Sequence, residues 1–268
     1  MDYFAWNFDP EIFRLQLGSF TLAPRYYGLM FAMGFLIGYQ LLEKVYRKEG
    51  KNIESLSSLL GHMLVGTIVG ARLGHCLFYE PGYYLSHPLE ILAIWKGGLA
   101  SHGGTLGILI SVYFYTRKHR DQPYIWVADR LAPAIALTAA FIRIGNFFNS
   151  EIIGKPATVP WAVIFERIDA VPRHPAMLYE SLSYLILFVI TSLQYWKFNA
   201  ARTPGRIIGF FFMWVFGSRI LIEFVKENQV DFENAMALNM GQLLSIPFVI
   251  AGYLLFAGKI KWVTKNQA

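Results

Sequence analysis

The chain has little of what a soluble or secreted domain of its length carries. Only 16% of its 268 residues are charged, whereas a soluble domain carries about a quarter. Its one cysteine, Cys76, excludes an internal disulfide framework, and no Cys/His spacing resembles a zinc site. Walker and dinucleotide fingerprints are absent, Ser218 lacks the pattern of a serine-hydrolase elbow, and no paired Asp-rich motifs could hold Mg²⁺. We therefore expect no cofactor and no metal ion.

Apolar residues, in contrast, are abundant. They make up 55% of the chain, and the mean hydropathy is +0.38, values that predict a polytopic membrane protein. A spanning helix needs roughly 20 mainly apolar residues. Seven segments qualify: Tyr26–Leu42, Leu56–Tyr79, Leu99–Thr116, Tyr124–Ile142, Pro175–Trp196, Arg206–Phe224 and Met240–Gly258. We therefore predict an all-α integral membrane protein with seven transmembrane helices, in which residues 1–268 form a single domain.

Three of these segments contain residues that are unusual in an apolar run. The third opens with glycines and small polar residues, which weakens its helical pattern. The fourth carries Asp129 and Arg130 in its first half, which predicts a stretch at the membrane interface or along a cavity. In the second, Gly66, Gly70 and Gly74 recur every four residues. That spacing lets another helix approach closely, so we expect a packing contact there.

Lysines and arginines are distributed unevenly between the connections. Thirteen lie on the side that includes the C-terminal tail, and eight lie on the other side, where the connections are longer. The positive-inside rule places the N-terminus outside and the C-terminus in the cytoplasm. It also explains the net charge of +6 without nucleic acid, which we do not expect as a partner. The longest connection, residues 147–173, is predicted to form a small external head between helices 4 and 5, with a strand within Pro160–Phe165.

Three arginines lie in or beside apolar segments, where an unpaired charge is expensive: Arg72, Arg143 and Arg219. Arg143 is followed by Asn146 and Glu151, and a guanidinium among amide side chains at membrane depth suggests an anionic lipid headgroup as ligand. Arg219 and Glu223 are four residues apart and share one helix face, so an intrahelical ion pair is an equally good interpretation of Arg219. The first of the three arginines is interpreted as structural.

Other polar residues stand near the ends of predicted helices. His102 could take a proton near neutral pH, although a lone histidine in a membrane is more often structural. Gly103 and Gly104 beside it could leave backbone amides free for an anion. Tyr27 opens the first helix, where a tyrosine is usually an interfacial anchor. Glu180 falls inside the fifth helix and needs a partner, for which one of the arginines is the natural candidate.

A series of motifs runs in order along nearly the whole chain: Tyr27–Met30, Gly70–Tyr79, Trp95–Gly104, Arg143–Asn149 with Glu151 and Gly154, Pro160–Val163, His174–Glu180, Arg219–Phe224 and Gly241–Pro247. Together they resemble the prolipoprotein diacylglyceryl transferases of bacterial inner membranes, whose signature is the Arg-Ile-Gly-Asn segment that begins at Arg143. Phe216 departs from the family pattern, since many members carry a tyrosine there. No hydroxyl role is therefore expected at this position.

The resemblance implies a reaction and its partners. The diacylglyceryl group of phosphatidylglycerol would be transferred to the lipobox cysteine thiol of a prolipoprotein signal peptide. A thioether would form and glycerol phosphate would leave. The resemblance makes phosphatidylglycerol, other membrane lipids and prolipoproteins the expected partners. It makes the bacterial inner membrane the expected location.

The resemblance also implies site residues. His102 corresponds to the family's proposed base, and Arg143 and Arg219 would stabilise the departing phosphate as catalytic residues. The expected substrate-binding residues are Arg143, Tyr27, Gly103, Gly104, Asn146, Glu151, Gly154 and Glu223.

Two other classes of protein remain open. A transporter of anionic substrates would also place arginines at membrane depth, but the inverted repeats typical of transporters are not visible in the sequence. A lipid-binding structural protein would tolerate Arg143→Lys, since a point charge would suffice, whereas bidentate capture of a phosphate would not. Counterflow uptake in liposomes separates a transporter from a transferase.

Overall fold

Helices form most of the structure, which is a computed structural model that describes residues 3–18, 20–94, 98, 100–227 and 236–260. Each of the seven predicted segments forms a helix. The helices are α1 Tyr26–Lys48, α2 Ile53–Phe78, α3 Pro81–Ser86, α4 Ser101–Lys118, α5 Tyr124–Asn149, α6 Ala176–Trp196, α7 Arg206–Ile222 and α8 Met240–Phe256. The chain divides into a larger unit, Met1–Leu42 with Ala128–Ala268, and a smaller unit, Glu43–Val127.

Four helices in the described part of the chain are long and apolar enough to cross a membrane: α1, α2, α5 and α6. Helix α8 is also apolar but has 17 residues, fewer than the roughly 20 that a perpendicular span requires. The chain is therefore a multi-pass membrane protein. The expectation of seven crossing helices stays a prediction.

The end of α5 differs from the predicted end in a way that matters for function. The sequence predicts a helix that ends at Ile142, whereas α5 continues to Asn149. The extra two turns place Arg143 and Asn146 inside the helix. Because they are three residues apart, they lie on one face of it.

Glycines bring α2 and α4 into close contact in the smaller unit. Gly66, Gly70 and Gly74 of α2 face Gly103 and Gly107 of α4. A Cβ atom at Gly70 would lie only 2.8 Å from the Cα of Gly107. Side chains at these positions would force the two backbones apart. The packing contact predicted from the glycine spacing is therefore confirmed.

Arg72 of α2 is held by backbone carbonyl groups. Its guanidinium donates hydrogen bonds to the carbonyl oxygens of Glu90 (2.6 Å), Ile91 (2.9 Å) and Gly98 (3.3 Å). It also lies 4.9 Å from the centroid of the Tyr84 ring, a cation–π contact. These contacts satisfy a buried charge, so the structural interpretation of Arg72 is confirmed.

Asp129 fastens α5 to α7 in the larger unit. Its side chain is fully buried, and its carboxylate accepts hydrogen bonds from the amides of Gly205 (2.8 Å) and Ile208 (2.9 Å) at the start of α7. A carboxylate at a helix N-terminus satisfies free amides and complements the helix dipole. Asp129 itself is therefore enclosed by protein, and the position of this stretch at the membrane interface or along a cavity stays a prediction.

Short strands join the N-terminus to the connection between α5 and α6. The strands are β1 Phe4–Trp6, β2 Leu15–Leu17, β3 Phe20–Leu22, β4 Val163–Phe165 and β5 Pro172–Arg173. Strand β4 pairs in parallel with β1 and antiparallel with β5, and β2 and β3 form a separate hairpin. The strand predicted within Pro160–Phe165 is confirmed. The indole of Trp6 donates to the carbonyl of Phe147 (3.1 Å). The N-terminal strand β1 therefore packs with residues 147–173 as part of one small folded region.

The glycine contact predicts opposite effects for two alanine substitutions on α2. A Cβ at Gly70 would overlap the backbones of Gly103 and Gly107, so Gly70→Ala should destabilise the protein by about 1–3 kcal/mol. The Cβ position at Gly61 is open, so Gly61→Ala should gain about 0.5–1 kcal/mol of helix propensity. Thermal unfolding in detergent measures both variants. Equal unfolding temperatures would contradict the close contact.

Candidate functional site

The last two turns of α5 present a hydrogen-bonded chain of polar side chains. Nη1 of Arg143 donates to Oδ1 of Asn146 (3.0 Å), and Nδ2 of Asn146 donates to Oε2 of Glu151 (2.9 Å). Asn149 donates to the other carboxylate oxygen of Glu151 (3.1 Å). The amide of Asn146 therefore links a cation to an anion, and both contacts fix its orientation.

Glu180 of α6 is the ionic partner of Arg143. Nε of Arg143 pairs with Oε2 of Glu180, whose side chain is only 2% exposed. An ionised carboxylate buried so completely must be paired, since its desolvation costs several kcal/mol. The prediction that Glu180 finds its partner in an arginine is confirmed.

Lys226, which follows α7, bridges two buried carboxylates. Its Nζ donates to Oε1 of Glu180 (3.4 Å) and to Oε1 of Glu223 (3.1 Å). In the sequence, Lys226 is one of the eight basic residues on the side opposite the C-terminal tail. The spacing of three residues between Glu223 and Lys226 was a local signal for one of its contacts, whereas no local pattern reveals the contact with Glu180, which lies 46 residues earlier in the chain.

Glu223 in turn holds Arg219 and Asn239. Nε of Arg219 lies 3.3 Å from Oε1 of Glu223, so the ion pair predicted from the spacing of four residues is confirmed. Nδ2 of Asn239 donates to Oε2 of Glu223 (3.0 Å). Asn239 also forms a capping box with Gln242 at the start of α8. The Asn-x-x-Gln spacing ahead of an apolar run was the signal that could have predicted this cap.

Five side chains alternate in charge and form what we name the charge row: Arg143, Glu180, Lys226, Glu223 and Arg219. Three positive and two negative members leave one net positive charge. The side chains of the end members are 21% exposed for Arg143 and 39% exposed for Arg219, whereas the three inner side chains are at most 7% exposed. The two arginine side chains are therefore partly accessible, while the groups that hold them stay buried.

Two tyrosines lie beside the charge row. Tyr27 of α1 lies close enough to Glu151 and Arg143 for their charges to act on its phenol. Gly145 makes this approach possible, since a Cβ there would lie 2.9 Å from the Tyr27 ring. Tyr184 of α6 is buried and interacts with both arginines of the row. The structure thus brings Tyr27 to the residues with which the sequence grouped it.

Gly154 lies where three backbone segments meet. Its amide donates to the carbonyl of His174 (2.9 Å), and its backbone bridges that of Lys226. A Cβ at this position would lie 2.6 Å from the Cβ of His174 and 2.7 Å from the carbonyl oxygen of Val225. Gly154 therefore has a packing role that the sequence does not reveal, and its expected contact with a lipid headgroup stays a prediction.

Arg173 ties the small sheet to the segment that carries Lys226. Its guanidinium donates to Oδ2 of Asp169 (2.6 Å) and to Oε1 of Glu227 (3.0 Å). The hydrogen bond from Arg173 holds the pKa of the Asp169 carboxyl below its usual value. The contact with Glu227 fixes the chain directly after Lys226.

The remaining predicted site residues belong to the smaller unit. His102 lies in the first turn of α4, but its side chain is outside the described part of the structure. The amide of Gly104 donates to the carbonyl of Ala100 (3.0 Å), so it is not free for an anion as expected. Gly103 faces Gly70, which gives it a role in helix packing. Substrate binding through these two glycines stays a prediction.

The fold and the charge row together define a multi-pass membrane protein that keeps two arginines accessible on a buried ionic support. Comparison of the sequence with known families identifies the class of protein more narrowly. The family model of prolipoprotein diacylglyceryl transferase matches residues 12–257. The chain belongs to this family and is therefore a transferase.

Relatives named phosphatidylglycerol–prolipoprotein diacylglyceryl transferase are similar over nearly the whole chain. The protein of Tolumonas auensis is 48% identical over 250 residues, which cover 93% of this chain and 95% of the relative. That of Chloroherpeton thalassium is 48% identical over 259 residues, covering 97% and 95%. That of Bacteroides fragilis is 47% identical over 272 residues, covering 96% of each.

Proposed function

We propose that this protein transfers the diacylglyceryl group of phosphatidylglycerol to the lipobox cysteine thiol of prolipoproteins in the bacterial inner membrane. Membership of the family and the names of the relatives support this function. The observation that carries it is the charge row. Its surplus positive charge and its two accessible guanidinium groups suit a phosphodiester that bears one negative charge.

The reaction exchanges a carbon–oxygen bond for a carbon–sulfur bond. The thiol first gives its proton to a base, because the thiolate is the nucleophile. Its sulfur then attacks the glyceryl carbon that carries the phosphate. The carbon–oxygen bond breaks, and its electron pair leaves with glycerol phosphate. Negative charge grows on the departing phosphate, so fixed positive groups beside it lower the barrier.

Arg143 and Arg219 supply those positive groups. A planar guanidinium can donate two parallel hydrogen bonds to phosphate oxygens. Glu180 and Glu223 each contact Nε of their arginine. The part of each guanidinium beyond Nε is therefore the part that contacts the phosphate, and the buried carboxylates keep both groups oriented before the lipid arrives.

Asn146, Glu151 and Tyr27 receive the glycerol of the headgroup. Its hydroxyl groups need both donors and acceptors, and the amide, carboxylate and phenol offer them next to Arg143. Gly154 lies near the headgroup in this proposal. His102 is the base that takes the thiol proton, and Gly103 and Gly104 contribute to substrate binding.

The protein crosses the membrane seven times, with its N-terminus outside and its C-terminus in the cytoplasm. The small sheet formed by β1, β4 and β5 then lies in an external head. This orientation puts the charge row on the side to which precursors are exported. It follows from the distribution of lysines and arginines.

An assay with labelled phosphatidylglycerol and a lipobox peptide tests the function. The purified protein should form a thioether product, and Arg143→Ala should lower the rate by about 100- to 1,000-fold, the loss expected for one electrostatic contact to a developing anion. Arg143→Lys should recover only part of that rate, because a single ammonium cannot bind two phosphate oxygens in parallel. Arg202→Ala and Arg202→Lys, at an exposed position, are the matched controls. No thioether from the wild type would reject the function.

The base is tested in the same assay by His102→Gln. Loss of the base should lower the rate most at pH values near 6 to 7, where few thiols ionise unaided, and less as the pH approaches the ordinary thiol pKa of about 8.5. The ratio of wild-type to variant rate is measured between about pH 6 and 9. Equal rates for the two proteins across that range would reject the role of His102.

A further inference from the structure

Lys226 is the innermost cation of the charge row. Its side chain is 4% exposed, compared with 21% for Arg143 and 39% for Arg219. Its ammonium group contacts Glu180 and Glu223 at the same time. Because it is covered by its partners, Lys226 is not placed to touch a lipid phosphate itself.

Lys226 determines the net charge that the arginines present. Without it, two arginines would face two carboxylates, and the row would be neutral. Glu151 lies outside the row: it is exposed, and its hydrogen bonds in the described part of the chain are with Asn146 and Asn149. A neutral row would have no surplus charge with which to attract an anionic lipid.

Lys226 also occupies oxygen atoms that would otherwise compete for the arginines. It binds Oε1 of Glu180 while Arg143 pairs with Oε2 of the same carboxylate. On Glu223 it shares Oε1 with Arg219, and Asn239 binds the other oxygen. Arg143 is thereby left with Oε2 of Glu180, and Arg219 with a shared contact to Oε1 of Glu223.

Backbone contacts hold Lys226 in this position. It forms an antiparallel bridge with Gly154, where only glycine leaves room for the neighbouring chain. On either side of Lys226, the carbonyl of Val225 accepts a hydrogen bond from the amide of Lys155 (2.8 Å), and Glu227 pairs with Arg173. Because the residues on both sides of Lys226 are held by these contacts, its side chain is suited to orient other groups.

We propose that Lys226 is a positioning residue for the transfer reaction. It cancels one of the two buried negative charges and holds Arg143 and Arg219 at a fixed separation, so that the pair presents one surplus positive charge to the phosphodiester. This inference rests on the proposed function and extends it to a residue that never contacts the substrate.

The test compares Lys226→Met with the double variant Lys226→Met/Glu223→Gln. The single variant should lose activity by about 10- to 100-fold, the effect of one charge-assisted hydrogen bond, chiefly through a raised KM for phosphatidylglycerol. The double variant restores one net positive charge, and glutamine keeps an oxygen for Arg219. It should therefore regain most of the activity. Lys197→Met, an exposed lysine of the same unit, should behave as the wild type.

The outcomes separate positioning from simple structural support. A lysine that only supports folding predicts that the double variant is as poor as the single one or worse, and that result would overturn the inference. Lys226→Met could fail to fold because two buried carboxylates lose their partner. In that case the double variant tests the inference, which requires it to fold and to transfer the diacylglyceryl group. Binding to phosphatidylglycerol vesicles is measured in parallel. A wild type that binds but does not transfer would reject the proposed function, while the binding of the variants would still test Lys226.

Discussion

The alternation of charge from Arg143 to Arg219 is the interaction on which the rest of this structure depends. Buried ion pairs contribute little more to stability than well-packed apolar residues would. Removing one member, however, leaves an uncompensated charge that costs about 3–5 kcal/mol. The members come from α5, α6, α7 and the segment after α7. The fold must therefore bring four stretches of chain together within hydrogen-bonding distance before any of these charges is tolerable in a membrane protein.

Neighbouring contacts supply that accuracy. Asp129 fixes the start of α7 through two backbone amides, and the Asn239 cap fixes the start of α8 while binding Glu223. Gly154 and Gly241 occupy positions where a Cβ would strike a neighbouring group, His174 in one case and Glu223 in the other. The Asn239 cap and Gly241 thus act on Glu223 directly, whereas Asp129 and Gly154 fix the backbone of α7 and of the segment that carries Lys226.

The sequence predicts those parts of this arrangement that depend on local spacing or on apolar length. The seven helical segments, the glycine contact on α2 and the pair formed by Arg219 and Glu223 are of this kind. The partner of Glu180 could be predicted only as some arginine, because pairing across helices has no period. The contact between Lys226 and Glu180 and the strand that contains Trp6 escaped prediction, since each joins residues 46 or more positions apart. The burial of Asp129 could not be predicted, because a charge in an apolar run indicates burial or exposure equally well until its partner is known.

We expect an anionic lipid headgroup to bind across the two partly exposed ends of the charge row. A structure of the active protein with phosphatidylglycerol bound would test this expectation. The phosphate oxygens should lie within hydrogen-bonding distance, about 2.7–3.2 Å, of the guanidinium groups of Arg143 and Arg219, with Lys226 still bound to both carboxylates. A headgroup bound away from both arginines in a preparation that turns over would contradict it.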